Sequence, residues 1–245
     1  MMLRHMSALP SSHVAERHQH RLAQRLNWLR AGVLGANDGI VSVAALVVGV
    51  AGATNRVSII LAAGIAGLIG GAISMALGEY VSVSSQTDSE RALIAKEKRE
   101  LVEMPEEELH ELAGLYEAKG LQPETAQRVA IELTDHDAIA AHLSAELNID
   151  ENDVVSAWSA AAASAAAFTV GALLPLAAVL LPAPGWRVPT TFIAVLVALA
   201  LTGWLSARLG GSSKAKSILR VVIGGAAALA ATYGIGSLLG STGIA

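Results

Sequence analysis

The chain has 245 residues, of which 53% are hydrophobic and 16% are charged, whereas an average soluble domain carries about 25% charged residues. The absence of cysteine excludes a disulfide framework, a thiolate zinc site and an iron–sulfur cluster. No basic block is large enough to predict nucleic-acid binding, and no signal peptide is expected because several His and Arg residues precede the first apolar run.

The net charge of −4 hides an uneven distribution, since 18 of the 21 acidic residues lie between Asp88 and Asp153. Only six basic residues accompany them. Two further carboxylates, Asp38 and Glu79, lie within apolar sequence. Carboxylates in a lipid-spanning segment are costly and usually functional. This distribution suggests a protein that collects cations and passes them through a bilayer.

Five segments are long and apolar enough to cross a membrane, because a hydrocarbon core of about 30 Å needs roughly 20 apolar helical residues. The predicted spans are residues 28–53, 57–84, 154–181, 189–209 and 218–239. If the N-terminus is inside, 15 of the 17 Lys and Arg residues fall on the inner side, and only Arg56 and Arg187 fall outside. The positive-inside rule therefore predicts a cytoplasmic N-terminus and acidic insert, and an outer C-terminus.

The acidic insert is predicted to contain three helices. No Gly or Pro occurs between Glu79 and Met104, so the second span should continue as one long helix that ends before Pro105. Pro105 suits the first turn of the next helix, which Gly120 should end. Pro123 should begin a third helix that runs to about Leu147, and Asp150 is then a predicted N-cap of the third span.

The predicted fold class is therefore an all-α membrane protein, with five transmembrane helices and a three-helix cytoplasmic metal-binding domain inserted between helices 2 and 3. Residues 1–27 form an N-terminal cytoplasmic tail, residues 28–85 transmembrane helices 1 and 2, residues 86–150 the acidic insert, and residues 151–245 transmembrane helices 3 to 5. The tail histidines are expected to lie in a disordered or interfacial segment rather than in a metal site; they are His5, His13, His18 and His20.

Four glutamates of the insert share helix faces with apolar residues that should point inward. Glu97 and Glu100 lie on the face of Leu93, Leu101 and Met104. Glu108 and Glu111 likewise share a face with Leu112 and Leu115. Several buried anions need cations to neutralise them, which favours a metal site, although an ordinary acidic bundle with solvated glutamates fits the pattern equally well.

Histidines add two further patterns to the insert. In the third helix, Glu146 lies one turn after His142, and Asp135 lies two turns before it. The spacing from Glu107 to His110 is the Glu-x-x-His motif of di-iron bundles, which need the motif on two helices. The chain lacks a second copy, so a catalytic di-iron centre is the weaker interpretation.

Three residues of the first two spans are candidates for a transport path. Asp38 lies ten residues into the first span, about 15 Å along the helix and thus near the midplane. A structural carboxylate bonded to Ser or Asn is the alternative interpretation. Met75 and Glu79 lie one turn apart on the second span, and a thioether beside a carboxylate suits Fe²⁺ or Mn²⁺ better than Ca²⁺ or Mg²⁺.

Three stretches of the sequence resemble the vacuolar iron transporter family of plants, yeast and bacteria. They are LRAGVLGANDGIVSVAALVVGVAGA (Leu29–Ala53), GAISMALGEYVSVSSQTDSE (Gly71–Glu90) and FTVGALLPL (Phe168–Leu176). The resemblance covers about residues 28–240. It implies five transmembrane helices, a homodimer, a cytoplasmic metal-binding domain, and proton-coupled export of Fe²⁺, often also Mn²⁺, from the cytosol.

The resemblance also assigns roles to residues of this chain. Asp38 and Met75 match the membrane metal site of the family, and Glu79 matches its motif glutamate. The glutamates of the metal-binding domain correspond to Glu97, Glu100, Glu108, Glu111 and Glu146. His142 falls about where a family member carries Met, which leaves the metal preference open.

The sequence thus predicts a divalent metal/proton antiporter rather than an enzyme, with no permanent cofactor, Fe²⁺ or Mn²⁺ as substrate and protons as counter-ion. The insert would capture the metal and pass it to Glu79 and Met75, then to Asp38. The alternatives are a di-iron oxidase or iron-storage protein, a non-transporting metal sensor or scaffold, and a calcium transporter. The expected location is a bacterial inner membrane, and the expected partners are metal ions, lipid and a second copy of the chain, without nucleic acid.

Overall fold

A computed structural model describes the backbone of residues 12–149 and 156–242, and the side chains from residue 32 onward within those ranges. The described chain is entirely helical, with no strand. Its α-helices are α1 (Ser12–Ala53), α2 (Val57–Glu103), α3 (Pro105–Ala118), α4 (Pro123–His142), α5 (Ala157–Leu180), α6 (Arg187–Leu209) and α7 (Lys214–Ser241). A π-helical turn (Leu143–Leu147) follows α4, and a 3₁₀ turn (Pro184–Trp186) precedes α6.

Five of the helices carry segments long and apolar enough to cross a membrane, which confirms the prediction of an all-α membrane protein with five spans. The spans lie in α1, α2, α5, α6 and α7. On α2, the large apolar residues at intervals of four are exposed, namely Ile65, Ile69, Ile73 and Leu77. Such a stripe is suited to contact with lipid or with another membrane helix.

Helix ends lie close to where Pro and Gly predicted them. The second helix runs without interruption to Glu103, Pro105 lies in the first turn of α3, and Pro123 in the first turn of α4. Gly120 follows α3 with a φ of 100°, a backbone conformation that glycine adopts without strain. The predicted N-cap Asp150 lies outside the described residues.

The first helix begins at Ser12, within the segment predicted to be a tail. No Gly or Pro occurs between Ser12 and Ala31, so nothing in that segment interrupts the helix upstream of the apolar span. His5 lies outside the described residues, as do the side chains of the other three tail histidines.

The chain divides into two compact units, one comprising the chain up to Glu79 and from Ser159 onward, and the other Tyr80–Trp158. In the first unit, α1 contributes to two apolar clusters. Val43 and Val47 pack against α2 and α5 around Phe168. Ile40, Ala44 and Val48 pack against α6 and α7; their partners are Val195, Leu199 and Leu229.

Glycine allows α1 and α5 to approach closely. A β-carbon on Gly39 would collide with the backbone carbonyl of Phe168, and one on Gly171 would collide with the carbonyl of Ala36. Small residues permit this kind of contact between membrane helices. The close approach fixes the part of α1 that carries Asp38.

In the second unit, α3 and α4 pack through a small core of Leu112, Ala113 and Ala130. Two apolar residues that were predicted to point inward do not, since Leu93 is 40% exposed and Met104 is 38% exposed. The acidic Glu97 between them is buried instead. The inward-pointing side of α2 in this unit is thus occupied by a carboxylate.

Candidate metal-binding sites

Three ligand-type side chains from three helices meet in the Tyr80–Trp158 unit. Glu97 comes from α2, Glu108 from the first turn of α3, and His142 is the last residue of α4. Their exposed fractions are 3%, 5% and 0%. Among the described residues, this is the one group of three or more His, Asp or Glu residues whose ligand atoms all lie within 4.8 Å of one another.

The atoms of this cluster converge without forming the hydrogen bonds that burial normally requires. His142 Nδ1 lies 2.9 Å from Glu97 Oε1 and 3.4 Å from Glu108 Oε2. Neither imidazole nitrogen of His142 has a hydrogen-bond partner, and neither has Glu97 Oε1. Buried polar atoms are nearly always paired, so three unpaired atoms in one pocket are suited to contact with a cation or another polar ligand.

The spacing of these atoms fits a shared metal ion. Two ligand atoms that each lie about 2.1 Å from one ion are about 3.0 Å apart at an octahedral angle and about 3.4 Å apart at a tetrahedral angle. The two separations measured from His142 Nδ1, 2.9 and 3.4 Å, match these values. The cluster could therefore hold a divalent cation through one nitrogen and two carboxylate oxygens.

An interruption of α4 lies five residues before His142. In an unbroken helix with 3.6 residues per turn, His142 would lie about 120° around the axis from Ala130, a residue of the α3–α4 core. Asp137 breaks the helix with extended dihedral angles (φ −163°, ψ 93°). Its Oδ1 accepts a hydrogen bond from the Ala140 N–H, which is the geometry of an N-cap for a new helical segment.

The electrostatics of the cluster follow from burial and from crowding of like charges. Burial, followed by the negative charges of Glu146, Glu108, Glu100 and Glu111, raises the pKa of Glu97 to about 7. Burial and then Glu111 raise the pKa of Glu108. Burial lowers the pKa of His142, which keeps its imidazole neutral and its lone pair available at neutral pH. A bound cation would relieve the carboxylate repulsion.

The remaining predicted ligands surround this cluster rather than belong to it. Glu100 is half-buried and accepts a hydrogen bond from Lys96 Nζ at 2.7 Å. Glu111 and Glu146 have exposed side chains, and partial desolvation together with the charge of Glu111 raises the pKa of Glu146. A π-helical turn, Leu143–Leu147, follows His142 and contains Glu146.

The Glu-x-x-His pattern does not form a ligand group in the described chain. His110 is exposed, and its Nδ1 lies 2.7 Å from the backbone oxygen of Glu106. Asp135 is also exposed. Neither residue belongs to the cluster of Glu97, Glu108 and His142, so the pattern provides no support for a di-iron centre.

A second candidate site is an open cleft of about 360 Å³ in the first unit, between α1, α2 and α5. Asp38, Met75 and the hydroxyl residues Ser42 and Ser74 line it, together with Phe168 and small or apolar residues. Ser42 Oγ donates a hydrogen bond of 2.8 Å to Asp38 Oδ1. This contact fits the structural interpretation of Asp38, and it occupies one of the two carboxylate oxygens.

Glu79 is half-buried and lies outside the lining of this cleft. The sequence interpretation did not identify Ser42 or Ser74 individually as site residues. The spacing of Ser42 from Asp38, one helical turn, was the available signal. Asp137 was also missed, because an acidic residue within a helical pattern gives no sign of a break.

Comparison with known proteins identifies the relatives of the chain. The model of the VIT family matches residues 29–237. The "Vacuolar iron transporter" of Acanthamoeba castellanii is 42% identical over 91% of this chain and 82% of its own length. "Vacuolar iron transporter homolog 3" of Arabidopsis thaliana is 39% identical over 89% of this chain and 86% of its own length.

A rice relative gives a similar match. "Vacuolar iron transporter homolog 3" of Oryza sativa subsp. japonica is 41% identical over 86% of this chain and 70% of its own length. The resemblance inferred from the sequence motifs is thereby confirmed. All three relatives are named as transporters rather than enzymes, in agreement with the sequence prediction.

Proposed function

This chain belongs to the VIT family, and we propose that it is a multi-pass membrane transporter of divalent transition-metal ions, with Fe²⁺ or Mn²⁺ as substrate. The names of its relatives support iron as a substrate. The observation that carries the proposal is the buried cluster of Glu97, Glu108 and His142, in which one ligand atom from each residue lies within 4.8 Å of the others. Glu100, Glu111 and Glu146 add negative charge that attracts the cation to this cluster.

The cleft beside Asp38 is the second part of the proposed path. It brings a carboxylate, two hydroxyl groups and the Met75 thioether together between membrane-spanning helices. A carboxylate that must leave water to reside in a membrane is expected to serve an ion. We assign Asp38 and Met75 to the ion in transit, and Glu79 to an exchange point on the same helix as Met75.

Proton antiport follows from the chemistry of these ligands. A carboxylate binds a metal ion only when it is deprotonated, so protons and metal compete for each site. Protons entering from the opposite side of the membrane would displace the metal from Asp38. The direction that fits an acidic capture site in the cytoplasm is export from the cytosol.

The proposed topology places the N-terminus and the acidic insert in the cytoplasm and the C-terminus outside. The distribution of Lys and Arg supports it. We propose a bacterial inner membrane as the location and a homodimer as the assembly. The exposed stripe of Ile65, Ile69, Ile73 and Leu77 on α2 offers apolar surface for lipid or a second copy.

Flux into proteoliposomes tests the proposed function. The full-length protein should carry Fe²⁺ across the bilayer when a pH gradient is imposed, and Asp38→Ala should reduce this flux to the level of empty liposomes. Glu117→Gln, which alters an exposed acid of α3, is the matched control and should transport normally. Unchanged flux in Asp38→Ala would refute the role of the cleft.

The flux assay, combined with oxygen consumption and Ca²⁺ competition, separates the alternatives. A sensor or scaffold would bind metal without carrying it across the bilayer. An oxidase or storage protein would consume oxygen in the presence of Fe²⁺, whereas a transporter would not. Strong competition by Ca²⁺ against Fe²⁺ uptake would instead favour calcium transport.

A further inference from the structure

The ligand set of the buried cluster is mixed, with one imidazole nitrogen and two carboxylate oxygens. Imidazole suits Fe²⁺, Co²⁺, Ni²⁺ and Zn²⁺, whereas sites with only oxygen ligands suit Mn²⁺, Ca²⁺ and Mg²⁺. We propose that His142 is the specificity-determining residue of this pocket, and that it selects Fe²⁺ and the later transition-metal ions over Mn²⁺ and Ca²⁺. This inference rests on the proposed function, because it narrows the substrate of the transporter.

The ligand atom is Nδ1 of His142, since it is the nitrogen that faces both carboxylates. It lies 2.9 Å from Glu97 Oε1 and 3.4 Å from Glu108 Oε2, yet its orientation forms a hydrogen bond with neither. The outward direction of Nδ1 therefore points at neither oxygen, whereas a cation held near both oxygens could contact all three atoms. The arrangement is therefore that of metal ligands rather than of a hydrogen-bonded network.

A buried core histidine is the ordinary alternative, and the contacts of His142 argue against it. A structural histidine in a core normally donates from one ring nitrogen and accepts at the other. Both ring nitrogens of His142 are unpaired although the residue is fully buried. Leaving both nitrogens unpaired is unfavourable, and a bound metal ion at Nδ1 removes part of that cost.

The backbone around His142 gives a second, independent argument. The break at Asp137 precedes His142 by five residues, and the π-helical turn begins immediately after it. π-helical turns are rare in proteins, and those that occur often lie at functional sites. Without the break, helical geometry would direct His142 about 120° away from the face of Ala130. Two departures from regular helix thus flank the one residue that contributes nitrogen to the pocket.

The test is metal competition on the full-length protein in detergent, with Co²⁺ as an air-stable probe for imidazole-preferring ions and Mn²⁺ as the oxygen-preferring probe. His142→Gln removes the imidazole nitrogen and replaces it with a neutral amide. We expect this variant to lose about tenfold or more in affinity for Co²⁺ while its affinity for Mn²⁺ changes by less than about threefold. His110→Gln, at an exposed histidine of α3, is the matched control and should retain the wild-type ratio.

Two results would overturn the inference. One is an equal loss of Co²⁺ and Mn²⁺ affinity in His142→Gln, which is what a purely structural role predicts. The other result needs only the wild-type protein. If its tightest site binds Mn²⁺ and Co²⁺ with equal affinity, the nitrogen of His142 does not determine selectivity. The second result decides the question even if the variant fails to fold.

Flux measurements separate this inference from the proposed function. If wild-type protein transports Fe²⁺ but His142→Gln keeps the wild-type Co²⁺/Mn²⁺ ratio, the inference fails and the transporter stands. If the ratio changes in His142→Gln but no metal crosses the bilayer in wild-type protein, the pocket is selective and the proposed function fails.

Discussion

Glu97 is the buried residue that would link the proposed metal binding to pH. Its carboxyl is 3% exposed, and burial together with four neighbouring glutamates raises its pKa to about 7. At neutral pH it is therefore divided between a protonated form, which does not bind metal, and a carboxylate, which does. A small change in the pH around this unit would change the fraction of protein whose Glu97 is deprotonated.

This titration predicts a pH-dependent metal affinity. Binding at the cluster should release a proton from Glu97 below pH 7, so the apparent affinity for Co²⁺ should fall by up to about tenfold for each pH unit between 7 and 5.5. Above pH 8 Glu97 is almost fully deprotonated, so it should no longer make the affinity for Co²⁺ depend on pH. Calorimetry in buffers of different ionisation enthalpy would measure both the affinity and the released protons, and a flat profile would contradict the assignment.

The same group predicts an effect on stability in the absence of metal. An acid whose folded pKa lies above its unfolded value stabilises the fold below the unfolded pKa and loses this contribution as pH rises through the folded pKa. For Glu97 the window runs from about 4.5 to about 7. In chelator at pH 8, Glu97→Gln should therefore be more stable than wild type, by up to about 3 kcal/mol.

Thermal unfolding with and without metal checks this prediction. In the presence of a chelator, Glu97→Gln should unfold at a higher temperature than wild type. Added Co²⁺ should raise the unfolding temperature of this variant by less than that of wild type. The exposed Glu117→Gln should behave as wild type in both conditions. A variant that is destabilised in chelator would show that the buried carboxylate serves the fold rather than a ligand.

At the scale of the element, the interruption of α4 is the feature on which the pocket depends. Asp137 ends one helical segment and caps the next through the Ala140 N–H. If Asp137→Ala removes the cap, the helix should continue without a break and turn His142 away from Glu97 and Glu108. The affinity for Co²⁺ should then fall about tenfold or more, whereas Asp137→Asn, which keeps an acceptor oxygen, should bind nearly normally. Equal binding by both variants would contradict the positioning role.

The contact between α1 and α5 gives a prediction for the membrane-spanning unit. A β-carbon at Gly39 would collide with the Phe168 carbonyl, whereas a β-carbon at Gly70 would meet no neighbouring side chain or other helix within 4 Å. Gly39→Ala should therefore destabilise the protein by on the order of 1–3 kcal/mol through overpacking and disturb the cleft beside Asp38. Gly70→Ala should be harmless. Melting temperatures in detergent would test the pair, and equal values would contradict the packing.

The helix ends were predictable because Pro, Gly and long apolar runs leave strong local signals. Pro105, Gly120 and Pro123 lie at or beside the ends of α3 and α4, as the sequence predicted. Two other features left no such signal. Leu93 and Met104 were expected to point inward, but on the unbroken α2 the buried position belongs to Glu97. The break at Asp137 and the π-helical turn after His142 occur in sequence without Pro or Gly.

At the scale of the whole molecule, the protein combines membrane-spanning helices with a helical unit rich in acidic residues. The first supplies a cleft with one carboxylate, and the second a buried pocket with a nitrogen and two carboxylates. In the proposed function, both sets of side chains serve as ligands for which metal ions and protons compete. This shared competition is the reason for assigning exchange of metal for protons to the molecule.

The most direct test of this account is the simultaneous measurement of metal and proton movement by the wild-type protein in sealed proteoliposomes. An Fe²⁺ gradient imposed without a pH gradient should drive Fe²⁺ into the lumen, and an internal pH dye should report protons leaving at the same time. A proton ionophore should remove the pH change while Fe²⁺ entry continues. Fe²⁺ entry without any pH change before the ionophore is added, or no Fe²⁺ entry at all, would contradict the proposed exchange.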